Sequence, residues 1–167
     1  LVHEIPCFIY KYIKPPAVQR IGKIGMNWGT DYTKIFNNKF FYSRLDHSIG
    51  VALIIWNFTK DKKQTLAGLF HDIATPCFSH CIDFLHKDYI NQEVTEEDTK
   101  TIIEGSQEIM SLLKKDDILI DEVCDYKIYP IADNNTPRLS ADRLEYTFSS
   151  RLSFTKDWHV NHIIERY

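Results

Sequence analysis

No stretch of this chain approaches the roughly 20 consecutive apolar residues that a membrane-spanning helix requires, and no internal repeat or low-complexity tract interrupts its 167 residues. An excess of positive charge is also missing. The 20 Lys and Arg are interspersed with 23 Asp and Glu, for a net charge of -3, which argues against the broad basic footprint of a nucleic-acid-binding surface but leaves room for a local basic pocket. Cysteine is scarce: Cys7, Cys77, Cys81 and Cys124 do not form a disulfide framework, and a chain of this length does not need one. They read as reduced thiols of a cytoplasmic protein. The first residues include His3 and Glu4 and lack the basic-then-apolar pattern of a secretory leader. A chain that opens on Leu1 reads as a fragment, truncated at its ends. No change of composition marks a linker, so residues 1–167 are expected to be one domain, and the 44% hydrophobic content supports an ordinary buried core.

What is present is a succession of helical patterns. Ile5 to Ile13 (IPCFIYKYI) is aromatic and β-branched and predicts a short strand or extended arm. Pro16 then suits a helix start, and Val18, Ile21 and Ile24 recur at helical spacing over Ala17 to Gly25. Thr30 to Asn38 reads as a loop. Arg44 to Thr59 is the first long helix, with His47, Val51, Ile54 and Phe58 on one stripe. Lys62 to Ile73 follows, with Leu66, Leu69, Phe70 and Ile73 inward and His71-Asp72 at its end. Pro76 opens another helix, on which His80 and Asp83, three apart, face the same way. Cys77 and Cys81 share a face beside His80. That admits a zinc site, although two small semi-buried residues is the plainer reading. Thr101 to Lys115 is amphipathic and Ile118 to Tyr126 a shorter helix, with Glu104 on the surface. Ala132 to Pro137 is a turn-rich loop. Arg138 to Arg151 is the last clear helix, and it carries Asp142, Tyr146 and Ser149 on one face.

His47, the adjacent pair His71-Asp72, and Asp142 therefore stand on three helices. Imidazole and carboxylate donors together suit a divalent transition metal. An isolated inward histidine, however, is more often a packed core residue. The surrounding stretches decide between these readings. Ala17 to Gly25 (AVQRIGKIG), Ser43 to Val51 (SRLDHSIGV), Leu69 to Asp83 (LFHDIATPCFSHCID) and Ser140 to Tyr146 (SADRLEY) resemble the motifs of the HD superfamily of metal-dependent phosphohydrolases, and most closely its deoxynucleoside triphosphate triphosphohydrolase branch. The resemblance covers roughly residues 15 to 150. It implies an all-α HD-domain bundle, here with the short N-terminal arm in front. His47, His71, Asp72 and Asp142 would hold one divalent ion, of manganese, iron, cobalt, nickel, zinc or magnesium. Arg44 and Arg143 would contact phosphate, Tyr146 would sit under a nucleotide sugar, and His80 and Asp83 would line the catalytic pocket. For Arg44 the competing reading is a salt bridge to a carboxylate such as Asp46 or Glu145.

The chain also departs from that branch. Thr75 stands where the relatives have a catalytic His, Ile103 replaces a second pocket His, Met26 replaces a sugar-checking Gln, and Ser150 replaces an Asp for the sugar hydroxyl. Metal and phosphate residues are kept while proton-transfer and sugar-reading residues are lost, and neither Thr nor Ile is a general acid near neutral pH. The expectation is therefore a metal-dependent phosphohydrolase acting on an ester or anhydride of a nucleotide or related small metabolite. The alternatives are a true triphosphohydrolase with a remodelled pocket and a non-catalytic HD module that binds nucleotide or a partner protein. No membrane association is expected, and self-association into a homo-oligomer is compatible with the sequence.

Overall fold

Helices make up the regular structure of the computed structural model, which describes residues 5–26, 41–77, 98–135 and 137–154, with side chains to residue 149. In chain order they are α1 (Cys7–Ile13), α2 (Pro16–Gln19), α3 (Arg44–Thr59), α4 (Lys62–Phe70), α5 (Thr99–Gly105), α6 (Gln107–Lys115) and α7 (Ala141–Phe154). Short 3₁₀ turns occur at Arg20–Lys23, Ile120–Glu122 and Tyr126–Ile128. Among the described residues there is no strand, only an isolated antiparallel bridge between Gly25 and Ser43. The expected all-α architecture is what forms.

The organising element is α3, which packs against α4 on one side and α7 on another. Its boundaries coincide with those read from the sequence. At its start, Ser43 and Asp46 form a capping box, in which Ser43 Oγ accepts from the Asp46 amide and the Asp46 carboxylate accepts from the Ser43 amide. Two donors of the first turn that would otherwise lack partners are thereby satisfied. The bridge to Gly25 fixes where α3 enters, with the Arg44 amide donating to the Ile24 carbonyl at 2.8 Å. At its end Lys60 adopts a left-handed conformation, φ 53°, and the chain turns directly into α4, whose Asp61 cap accepts from the Lys63 and Gln64 amides. The main core gathers Ile9, Tyr12, Val18, Ala52, Leu66, Leu69, Phe70, Ile73, Ile103 and Ile109. A smaller cluster of Val51, Ile55, Ala132 and Ala141 joins α3 to the start of α7.

Some sequence expectations need correction. The N-terminal segment is not extended: Cys7–Ile13 is helical, with Ile9 and Tyr12 fully buried one turn apart and Phe8 edge-on to Trp56 at 5.1 Å. Packing overrides the β-propensity of its aromatic residues. The helix expected over Thr101 to Lys115 is two helices, because Ser106 ends α5 and caps α6 through its hydroxyl. The helix expected over Ile118 to Tyr126 is reduced to a single 3₁₀ turn, Ile120–Glu122. Phe58, assigned to the inward stripe of α3, is 69% exposed, since the described neighbours do not cover that end of the helix. Leu139, just before α7, is likewise exposed. The Thr30 to Asn38 loop, the helix opening at Pro76 beyond residue 77, Cys81, and the tail histidines His159 and His162 lie outside the described residues. No described helix is long and apolar enough to cross a membrane.

Candidate metal centre

Three chain segments converge at the first turn of α3. His47, three residues after the first residue of the helix, is 2% exposed and points between α4 and α7. His71 follows α4 directly as its C-cap residue, and Asp72 starts the turn beyond it. That turn is held in place by Arg20, which donates from Nη2 to the Ile73 carbonyl at 2.6 Å. Asp142 lies in the first turn of α7, anchored where the Ala141 amide donates to the Ile131 carbonyl at 2.8 Å.

The hydrogen bonds fix which ring nitrogens face the cluster. His71 donates from Nδ1 to the Gly68 carbonyl at 2.7 Å, because a carbonyl can only accept. His47 donates from Nδ1 to Oε2 of Glu145. Both Nε2 atoms then face each other, 3.2 Å apart. Asp142 Oδ1 stands 3.0 Å from His47 Nε2 and 3.9 Å from His71 Nε2, and Asp72 Oδ2 is 3.6 Å from His71 Nε2. His47, His71 and Asp142 form a group that could hold a metal ion. Adjacent ligands at bond lengths of about 2.1 Å stand roughly 3 to 3.5 Å apart in octahedral or tetrahedral geometry, which is close to the spacing seen here. Opposed imidazole lone pairs repel unless a cation lies between them, so the donor set fits a metal. With neutral imidazoles, the carboxylates of Asp72, Asp142 and Glu145 and the Arg44 guanidinium leave a formal deficit that a divalent cation balances.

Without a cation, a proton has to do that work. Burial disfavours a charged His47, yet the contacts with Asp142 and Glu145 outweigh it and raise its pKa to about 10. Burial alone would raise the carboxyl of Asp142, but the His47 contact and nearby His71 hold it below the ordinary range. Asp72 is also held down against its own burial, chiefly by Arg44 and then by the two histidines.

The structure thus brings His47, His71 and Asp142 together, with Asp72 at the edge of the group. Asp72 is shared: it pairs with Arg44 Nη1 at 3.1 Å, and Oδ1 accepts from the Thr75 hydroxyl at 3.0 Å. Arg44 is buried in an ion pair, so the salt-bridge reading holds in form, with Asp72 as partner rather than Asp46 or Glu145. The guanidinium of Arg143 is turned to the loop before α7, where it donates to the Arg138 and Asn134 carbonyls and to Asp133. Tyr146 is 50% exposed. Ile103 is fully buried in the main core, and Met26 is buried. Cys77 is exposed, not semi-buried. His80 and Asp83 lie outside the described residues, as does the side chain of Ser150.

Sequence reasoning did not assign Glu145 to the site. Its place three residues after Asp142 on the same helix was the available signal. The sequence pattern points first to Asp142, and to Glu145 only as a partner for Arg44.

An all-α bundle carrying a buried His-His-carboxylate cluster is therefore the class that fold and site define. No protein-family model matches the chain. It is similar to the uncharacterized protein YdhJ of Bacillus subtilis, 30% identical over 160 residues, 95% of this chain and 47% of that protein. It is also similar to the metal-dependent phosphohydrolase cns2 of Cordyceps militaris, 28% identical over 115 residues, which is 68% of this chain and 32% of that protein. The chain spans about half or less of the length of these relatives.

Proposed function

We propose that this chain is the HD-type domain of a metal-dependent phosphohydrolase, and that it cleaves a phosphate ester or anhydride of a nucleotide or related small metabolite. The observation that carries the reading is the pair of imidazoles whose Nδ1 protons are both committed elsewhere, leaving two Nε2 lone pairs directed at one point beside two carboxylates. Similarity to a protein named as a metal-dependent phosphohydrolase supports the reaction class. His47, His71, Asp142 and Asp72 would hold the ion. A divalent cation there supplies Lewis acidity toward a phosphoryl oxygen and makes water a better nucleophile at neutral pH.

The chain's own residues do the rest. Gly68 and Glu145 set the two imidazole rings. Arg44 and Thr75 hold Asp72. Asp142, with its side chain 29% exposed, faces the solvent side from which substrate would approach. His80 and Asp83 are proposed to relay a proton to the leaving group, and Tyr146 offers an exposed ring for a nucleoside. The test is elemental analysis of the purified protein together with a phosphate-release screen over nucleotides and simple phosphoesters with added manganese. One divalent ion per chain and turnover are expected, both lost in His71→Ala. Wild-type protein without metal, or His71→Ala with full turnover, would overturn the reading.

A second reading, a nucleotide-binding module without turnover, is favoured by one observation. The Thr75 hydroxyl, at the position of a catalytic His in the triphosphohydrolase branch, is used to hold Asp72. Nucleotide binding without phosphate release, in protein that contains metal, would select it.

A further inference from the structure

One buried acid near the cluster is not accounted for by the four ligands. Glu145 is 6% exposed, and both its oxygens are engaged: Oε2 accepts from His47 Nδ1, and Oε1 accepts from the Tyr42 hydroxyl at 2.5 Å. The backbone of α3 makes room for it. A Cβ added to Gly50, one turn after His47, would stand 2.6 Å from Glu145 Cγ and 2.9 Å from Oε1. No ordinary side chain fits at that position while Glu145 keeps its place. Three elements thus cooperate on one hydrogen bond: the segment before α3 supplies Tyr42, α3 supplies the gap at Gly50, and α7 supplies the carboxylate.

We propose that Glu145 is the positioning residue of the metal centre. It fixes the ring and tautomer of His47 and raises the donor strength of its Nε2, while Tyr42 and Gly50 hold Glu145 on that nitrogen. A carboxylate behind a ligating imidazole both orients it and makes it more basic, and loss of such a partner lowers metal affinity by about 10- to 100-fold. The inference rests on the metal-centre reading above. It adds that affinity is set by a residue touching neither the ion nor the substrate.

The experiment uses manganese alone, titrated into chelator-stripped protein by calorimetry, with melting temperature measured in chelator as a separate readout. Glu145→Gln keeps the shape and removes the charge. Gly50→Ala keeps every polar group and displaces the carboxylate. Both are expected to raise the manganese Kd by about 10- to 100-fold. Gly50→Ala should do so in protein that still folds in chelator, although with a lower melting temperature, since the added Cβ pushes a buried carboxylate off its two hydrogen bonds. A wild-type Kd in either variant would overturn the role of Glu145 while leaving the metal site standing. A wild-type protein that binds no manganese would instead overturn the metal-centre reading itself, and this inference with it. If Glu145→Gln fails to fold, Gly50→Ala decides: weaker binding in folded protein supports the proposal, and unchanged binding overturns it.

Discussion

Arg44 carries two readings, a phosphate contact implied by the family resemblance and an ion pair with Asp72 in the fold. Three residues before His47 on the same helix, it looked like a phosphate contact. In the fold its side chain is 7% exposed and paired with Asp72. Removing one partner of a buried ion pair leaves the other charge uncompensated, at a cost of about 3–5 kcal/mol. Arg44→Ala should therefore melt well below wild type in chelator, and saturating manganese should restore part of the loss by neutralising Asp72. Thermal melts with and without the metal check this. Equal melting temperatures in chelator would mean that Arg44 is not needed to hold Asp72. That His47, His71 and Asp142 come together was legible because histidine and aspartate recur within recognisable stretches. Glu145 was not, because its significance depends on the gap at Gly50 and the hydroxyl of Tyr42, contacts that no local pattern announces.

Among the elements, α3 was the most readable, since its boundaries match and its apolar stripe holds apart from Phe58. Ser43→Ala should remove one arm of the capping box and lower stability by about 1 kcal/mol, seen as a lower denaturant midpoint with metal affinity little changed. A loss of affinity out of proportion would mean that the first turn, and His47 with it, had shifted. The break between α5 and α6 was less readable, because the apolar spacing runs through it while Ser106 redirects the backbone. Gly105 ends α5, and a Cβ there would meet nothing within 4 Å. Gly105→Ala should thus stabilise by about 0.5 kcal/mol, largely by restricting the unfolded chain, and chemical denaturation measures it directly. The N-terminal segment is helical against its propensity because a run of aromatic residues also fits a helix once a core exists to receive one face.

For the whole molecule, acid stability should report on the join between α1 and α6. Asp116, just after α6, accepts from Lys11 Nζ at 2.7 Å and from the Tyr12 hydroxyl at 3.0 Å. Burial opposes its ionisation, but these two contacts win and its pKa is lowered. A carboxyl depressed in the folded state contributes stability that is complete above its unfolded pKa and lost as pH falls through the folded value. Asp116→Asn should therefore lower the melting temperature at neutral pH, and the difference from wild type should shrink as pH drops below about 4. A difference independent of pH would rule out this linkage. Other ligand sets could be held by helices in the same order, so the substrate depends on details of the pocket. Met26 and Ile103, which stand where the triphosphohydrolase branch has a sugar-checking Gln and a pocket His, are buried. A preference for deoxyribose over ribose nucleotides of less than about 100-fold in kcat/KM, or roughly 2.7 kcal/mol, is expected, and a larger one would point to the triphosphohydrolase alternative.

The cluster draws on residues 24 and 95 positions apart, and this spacing bears on how the protein would come apart. An ion gripped by α3, the end of α4 and α7 together would tie distant parts of the chain like a removable rivet. Unfolding would then have to wait for the rivet to leave, so the lifetime of the folded state, as well as its melting point, would follow the concentration of free metal.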